Sequence, residues 1–350
     1  METTTREIKR IGVLTSGGDA PGMNAAVRAV VRTAIYKGIE VYGIRRGWHG
    51  LITNDVIRMN NDDVSHIINR GGTVLFTARS DDFRTKEGRK KAYDTCKFLG
   101  LDGIVAIGGD GTFAGCMALS SEYPISVVGI PATIDNDIGC THYSIGYDTA
   151  ANTAIDAIDK LRDTMASHER CSVIEVMGHR AGNLAMYVGI ATGATAVLVP
   201  EEDYDFEKHV ASKIRQAKLG GRTHYMIIVA EGAKRNTDGS LDNETVGNGS
   251  AGEQVADALR KEMGLDPRVT VLGHIQRGGS PSARDRVTAT RMGYFAVMAI
   301  LEGKTNIVII HDHGQITTMD MTEALAMKNE LNADEVEVLE AMTASPLDHF

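Results

Sequence analysis

The sequence predicts an α/β fold built on mainly parallel sheets. Apolar runs of strand length alternate with helical patterns along almost the whole chain, as repeated strand–helix–strand units require. Many of the glycines stand just after those runs, where a strand turns into a helix. The polar residues suited to chemistry stand there too, and open α/β sheets bind ligands beyond the carboxyl ends of their strands.

Residues 11–14 read as a buried strand. A helix follows over 24–37, where Val27, Val30, Val31, Ala34 and Ile35 share one face and Gly38 is a natural stop. Arg28 and Arg32 lie one turn apart on its other face. Further strands are expected at 39–44, 103–107, 125–130, 172–177, 196–199, 225–230, 269–272 and 307–310. Further helices are expected around 149–165, 183–190, 206–218, 252–263 and 283–301. The stretch 234–250 is polar and rich in Gly, Asn and Asp, and reads as a surface loop. The stretch 315–350 reads as helical and acidic, with a packing role only. At 350 residues the chain exceeds the size at which one core usually stops growing, so two domains are expected.

Composition excludes several function classes. The net charge is −9 with no basic run, which points away from nucleic acid and anionic membranes. An anionic substrate then needs a local cluster of arginines. No apolar run approaches the ~20 residues of a membrane span, and the first ten residues lack the apolar core of a signal peptide. Cys96, Cys116, Cys140 and Cys171 show no CxxC spacing, so reduced thiols in a cytoplasmic protein are expected.

Four motifs carry chemistry. Thr15-Ser16-Gly17-Gly18-Asp19 lies between a strand and a helix, where glycines admit a phosphate to backbone N–H groups or simply make a tight turn. Gly108-Gly109-Asp110-Gly111-Thr112 follows a strand, and an Asp inside such a turn suits a Mg²⁺-bound phosphate. Thr133-Ile134-Asp135-Asn136-Asp137 follows another; Asp135 has the chemistry of a general base toward a hydroxyl, and an Asx turn is the alternative. Gly273-His274-Ile275-Gln276-Arg277 offers His274 and Arg277 to a phosphate or sugar hydroxyl, as Arg79, Arg170 and Arg268 also do; surface ion pairs are the alternative for each arginine. No GxxxxGK[ST] loop is present, which disfavours a Walker-type NTPase. The histidines 142, 179 and 224 lack zinc-ligand spacing relative to one another, and no zinc site is expected from them.

Taken together, TSGGDAPGMNAAVR, INRGGTVLFTAR, GGDGT, TIDND, SHERCSVIEVMG and TVLGHIQRGGSP resemble the bacterial 6-phosphofructokinase family, in the family's order from about residue 10 to 300. GGDGT alone also occurs in NAD kinases and diacylglycerol kinases. The resemblance implies two Rossmann-like domains with an interleaved chain, 1–145 plus 276–310 binding ATP and 146–275 plus 311–350 binding fructose 6-phosphate. It implies Asp135 as general base, with Thr133, Arg79 and Arg170 as further catalytic groups, and Asp110 as the Mg²⁺ ligand. Gly18, Arg79, Ser80, Gly109, Gly111 and Thr112 would contact the nucleotide. Ile134, Asp137, Met177, Gly178, His179, Glu231, His274 and Arg277 would line the sugar-phosphate pocket with Thr133 and Asp135. Arg170 and Arg268 would come from a neighbouring subunit of a homotetramer.

The chain departs from the family pattern in three places. Ala132 stands where ATP-using members usually have Gly and pyrophosphate-using relatives Lys; Gly111 leaves room for an α-phosphate, which favours ATP. His179 replaces a common Arg, so bidentate phosphate binding is lost there. At the family's effector site Arg28, Arg32 and Arg162 match, but Asp55, Thr195 and Gly220 stand for Arg, Glu and Lys. The charge reversal at Asp55 predicts a weak or absent response to ADP and phosphoenolpyruvate. The competing readings are a pyrophosphate-dependent phosphofructokinase, an NAD kinase-like enzyme and a non-catalytic sugar-phosphate sensor.

Overall fold

The computed structural model describes residues 7–236 and 250–343. Along the chain run β1 (Arg10–Thr15), α1 (Met23–Tyr36), β2 (Glu40–Ile44), α2 (Gly47–Thr53), β3 (Val56–Met59), α3 (Lys86–Leu99), β4 (Gly103–Gly108), α4 (Asp110–Glu122) and β5 (Ser126–Pro131). Then come α5 (Tyr147–Ser167), β6 (Cys171–Val176), α6 (Asn183–Thr192), β7 (Ala196–Leu198), α7 (Ser212–Leu219), β8 (Tyr225–Ala230), α8 (Ala251–Met263) and β9 (Arg268–Val271). The last elements are α9 (Ala283–Leu301), β10 (Ile307–Asp312), β11 (Gln315–Asp320), α10 (Met321–Ala326) and α11 (Ala333–Thr343). Every strand expected from the sequence is present within two residues of its bounds.

The chain divides into two compact units, and it alternates between them. The first holds Met1–Ile134, Ile138–Thr149 and Arg277–Asn329; the second holds Asp135–Asp137, Ala150–Gln276 and Glu330–Phe350.

The first unit is built on a seven-stranded sheet of order β11-β10-β5-β4-β1-β2-β3. Its interior strands are parallel, and β3 and β11 close the two edges antiparallel. All six residues of β4 are buried, as expected of a parallel strand covered on both faces. The chain leaves β1 for β2 on one side and returns to β4 on the other. The loops after β1 and β4 therefore diverge from one crevice, the place where such sheets take ligands. One face is covered by α1 and α9, which approach closely at Gly293: a Cβ there would sit 2.6 Å from that of Ala29. On the other face Trp48 stacks on Phe83 at 4.5 Å, beside Phe113 and Leu119.

The second unit holds a four-stranded, all-parallel sheet of order β7-β8-β6-β9. Its core gathers Val173, Ile227, Val229, Val255 and Leu259. From β6 the chain runs past β8 to β7 on one side, and it reaches β9 on the other.

The structure corrects several expectations. Residues 315–320 form β11 rather than helix, because His313-Gly314 makes a two-residue hairpin turn and the segment pairs back on β10. The same pairing keeps the chain in the first unit to Asn329, beyond the crossing expected at 311. The helix expected over 206–218 opens with a wide turn, Glu207–Ala211, before α7. The elements α2, β3, α3 and α4 were not expected. Of the loop expected at 234–250, residues 237–249 lie outside the described residues, as do 344–350 of the C-terminal stretch. Among the described residues no helix is long and apolar enough to cross a membrane.

Candidate active site

Three strand ends meet in the first unit. The Ser16 N–H donates to the Ile107 carbonyl at 3.0 Å, and the Thr112 hydroxyl donates to the Ser16 carbonyl at 3.2 Å, joining the loops after β1 and β4. The Ala132 N–H donates to the Gly108 carbonyl at 3.0 Å, joining the end of β5. This crowding dictates Gly108: a Cβ there would lie 2.4 Å from the Ser16 carbonyl oxygen.

Gly109 and Gly111 present the opposite case. A Cβ on either would meet no atom within 4 Å, and neither has a positive φ. Packing and backbone conformation therefore do not require glycine at these two positions. What glycine does there is leave the amino end of α4 uncovered, where N–H groups and the helix dipole favour an anion. Asp110 opens that helix. Its residue remains exposed, yet burial pushes its carboxyl above the usual aspartate range. It makes no ion pair among the described residues. An acid raised by desolvation, with no cation beside it, suits a divalent cation held against a phosphate.

The loop after β1 carries Arg277 on its surface. A Cβ on Gly18 would lie 2.7 Å from Arg277 Nη1, which donates to the Asp19 carbonyl at 3.2 Å. Arg277 thus stands on the glycine loop of the first unit. Arg79 is exposed on the neighbouring loop, which Thr77 fastens to the Gly17 carbonyl at 2.6 Å. Ser80 accepts the Phe83 N–H at 3.3 Å, just ahead of the short turn Asp82–Arg84.

Beyond β5, the Thr133 carbonyl accepts the Ser144 hydroxyl at 2.7 Å, and Ala132 pairs with Ile145. The loop that follows is anchored by Asp285, a residue the sequence reading did not single out. It is wholly buried in the first turn of α9. It accepts the Tyr143 hydroxyl at 2.5 Å, the Gly146 N–H at 2.7 Å, the Thr149 N–H at 2.9 Å and the Thr149 hydroxyl. The only sequence signal was Ser282-x-x-Asp285, a helix-start pattern.

In the second unit, Asp135 is buried and Asn136 takes a left-handed backbone, φ 49°. Asn183, at the start of α6, donates to the Asn136 carbonyl at 2.9 Å and holds the turn. The loop after β6 is fixed by two side chains. Glu231 Oε1 accepts the Gly178 N–H at 3.2 Å and the His179 N–H at 2.7 Å. Gln276, fully buried, accepts the Met177 N–H at 3.1 Å. His274 lies exposed in the turn after β9. Met177, Gly178, His179, Glu231 and His274 therefore all stand at carboxyl ends of the second sheet.

Arg170 and Arg268 do not join them. Arg170 precedes β6 and Arg268 opens β9, pairing opposite Ser172. Both stand at the amino ends of their strands, about 20 Å of strand away from the loop after β6. Arg268 pairs with Asp266 at 3.3 Å, and both arginines are exposed.

Comparison with known proteins decides the family. The phosphofructokinase family profile matches residues 10–300. The chain belongs to the phosphofructokinase family. A Clostridium tetani protein named ATP-dependent 6-phosphofructokinase is 48% identical over 96% of this chain and 100% of its own length. The solved phosphofructokinase of Saccharomyces cerevisiae superposes with a TM-score of 0.84 at 36% identity, over 96% of this chain and 47% of the yeast chain. A pyrophosphate-dependent phosphofructokinase from Marinobacter aquaeolei shares the fold, with a TM-score of 0.80 at 21% identity, over 97% of this chain and 92% of that one.

At the positions of the phosphofructokinase effector pattern, Asp55 is already engaged. It accepts from Arg45 at 2.7 and 2.5 Å and pairs with Arg46. Burial works against its charge, but hydrogen bonds and attraction from Arg45, then Arg46, hold its carboxyl below the usual range. Arg162 donates to the Thr192 carbonyl.

Proposed function

We propose that this phosphofructokinase transfers the γ-phosphoryl group of ATP to the 1-hydroxyl of fructose 6-phosphate, giving ADP and fructose 1,6-bisphosphate in glycolysis. The observation that carries the phosphate half is the uncovered amino end of α4, with Asp110 between two glycines that packing among the described residues does not demand. The relatives' names support the donor and the acceptor.

Backbone N–H groups at Gly18, Gly109, Gly111 and Thr112 receive the nucleotide phosphates, and Ser80 and Arg79 flank them. Arg79 neutralises charge on the group in transfer, and the Thr133 hydroxyl steadies it. Asp110 fits Mg²⁺, which takes one or two carboxylates and completes its shell with phosphate and water. Bound there, Mg²⁺ supplies charge neutralisation at the phosphate oxygens. Asp135 accepts the proton of the attacking hydroxyl while Asp137 orients the sugar. Ile134, Met177, Gly178, His179, Glu231, His274 and Arg277 line the sugar-phosphate end.

The exposed amino-end position of Arg170 and Arg268 supports a role for both toward a neighbouring copy in a homotetramer. The first unit is then the nucleotide domain and the second the sugar-phosphate domain. We assign the protein to the cytoplasm, where its buried thiols stay reduced.

The test is a donor comparison: pure protein, Mg²⁺ and fructose 6-phosphate, with ATP or pyrophosphate, following the bisphosphate. Turnover with ATP alone is expected. Preference for pyrophosphate would overturn the donor, and turnover with neither would overturn the reaction. Because Asp55 sets a carboxylate against any anionic effector, ADP and phosphoenolpyruvate are expected to leave fructose 6-phosphate affinity unchanged. A clear shift with either ligand counts against that.

A further inference from the structure

Apart from these residues, the first unit brings His142, Asp312 and His313 together. One ligand atom from each lies within 4.8 Å of the other two. Asp312 Oδ1 stands 3.2 Å from His142 Nδ1 and 2.7 Å from His313 Nδ1. Both imidazoles thus converge on a single carboxylate oxygen, and their rings meet edge to face at 4.6 Å.

The backbone holds this arrangement from both sides. The His142 N–H donates to the His311 carbonyl at 3.0 Å, and the His311 N–H donates to the Thr141 hydroxyl at 2.9 Å. His313 occupies the first position of the two-residue turn between β10 and β11, with φ 44°, and Gly314 follows with φ 82°. Asn or Gly is the common occupant of the first position, so an imidazole is not what the turn itself selects. All three side chains are open to solvent, with 61%, 47% and 83% of their surface exposed, so an ion reaches them without any opening of the fold.

Two imidazole nitrogens and a carboxylate oxygen form a borderline donor set. It suits Zn²⁺ and its neighbours, and is poor for Mg²⁺ or Ca²⁺, which take oxygen. Tetrahedral ligands at about 2.0–2.1 Å from an ion stand about 3.4 Å apart, so the contacts present need to open by less than about 1 Å. The nearby Arg291 points its guanidinium at the Gly314 carbonyl, 3.4 Å away.

We propose that His142, Asp312 and His313 form a binding site for a divalent transition ion of the Zn²⁺ class. The ion would staple the loop 138–146 to the β10–β11 hairpin, and solvent would complete its shell. The site is separate from Asp110 in residues and in ligand chemistry.

The test uses tag-free, full-length protein stripped with chelator and titrated with ZnCl₂ by calorimetry. Co²⁺ absorption reads the coordination geometry, and melting is followed with and without Zn²⁺. His142→Asn and His313→Asn are the variants; at His313, Asn keeps the left-handed turn. Each removes a direct ligand and is expected to weaken Zn²⁺ binding by at least about 100-fold, since losing even an outer-shell partner costs about 10–100-fold. Zn²⁺ is expected to raise the melting temperature of the wild type but not of the double variant. Turnover with Mg²⁺ and ATP is expected to be unchanged in both, which shows that they fold. Equal Zn²⁺ affinity in wild type and variants overturns the proposal. So does a wild type that takes up no Zn²⁺ at micromolar concentration, or binding that disappears in Asp110→Asn instead.

Discussion

In the first unit the loop after β4 carries two glycines that packing does not require; in the second, the loop after β6 has its backbone N–H groups held by side chains. Gly109 and Gly111 leave a space that no atom of the described residues fills within 4 Å. Gly178 and His179 instead have their N–H groups taken by Glu231, and Met177 has its own taken by Gln276. The two halves therefore tolerate change differently. A side chain added at Gly109 or Gly111 affects what binds and spares the fold. A side chain removed in the second strips support from backbone already folded.

Substitutions sharpen that contrast, the largest effect first. Asp135→Ser should lower kcat by about 10²–10⁴, the usual worth of a positioned base, with the KM for fructose 6-phosphate little moved. Surviving turnover would remove Asp135 from that role. Gly111→Asp should raise the KM for ATP by about 100-fold, because like charges set together cost several kcal/mol. Its melting temperature should stay that of the wild type. Gly108→Ala, three residues earlier, should behave the other way and destabilise the fold, since its Cβ meets the Ser16 carbonyl. If Gly111→Asp melts early instead, the space in front of α4 is not free.

Glu231→Ala tests the other half. It leaves two N–H groups to water, a loss of about 1 kcal/mol. The KM for fructose 6-phosphate should rise while that for ATP stays put, and Glu231→Gln, which keeps an acceptor oxygen, should lose less. Equal movement of both constants would refute the assignment of this loop to the sugar.

The smallest effect is expected at Asp55, outside both loops. Its carboxyl is depressed in the folded chain, so its contribution is present above the ordinary value of 3.8 and fades as the pH falls through the lowered one. Denaturant midpoints of wild type and Asp55→Asn should differ near neutrality and converge in acid. A gap that widens in acid would contradict the sign.

The same contrast explains what the sequence made legible. Glycine loops and a TIDND segment after apolar runs are local patterns, and each of those residues lies at a strand end. The groups that hold the site are not local. Asp285, Gln276 and Asn183 are single polar residues whose partners lie far along the chain, and no spacing marks those contacts. Helix α4 is not legible in the sequence because it is apolar around much of its circumference and shows no stripe. β11 was read as helix because its one turn signal, His313-Gly314, carries a histidine where Asn is usual. Arg170 and Arg268 sit in recognisable motifs, but only the strand register shows that they face away from the other site residues of their unit.

The packing of α1 against α9 has a further consequence, for biosynthesis. The ribosome finishes α1 early, but α9 and β10 emerge only after the whole of residues 150–276 has been made. At about 5–20 residues per second, that delay is on the order of tens of seconds. During it the nascent first unit lacks both a helix on one face and two strands of its sheet. Its N-terminal half must wait, partly uncovered, for residues from beyond the second unit, and an N-terminal gene fragment ending there should yield an aggregation-prone product.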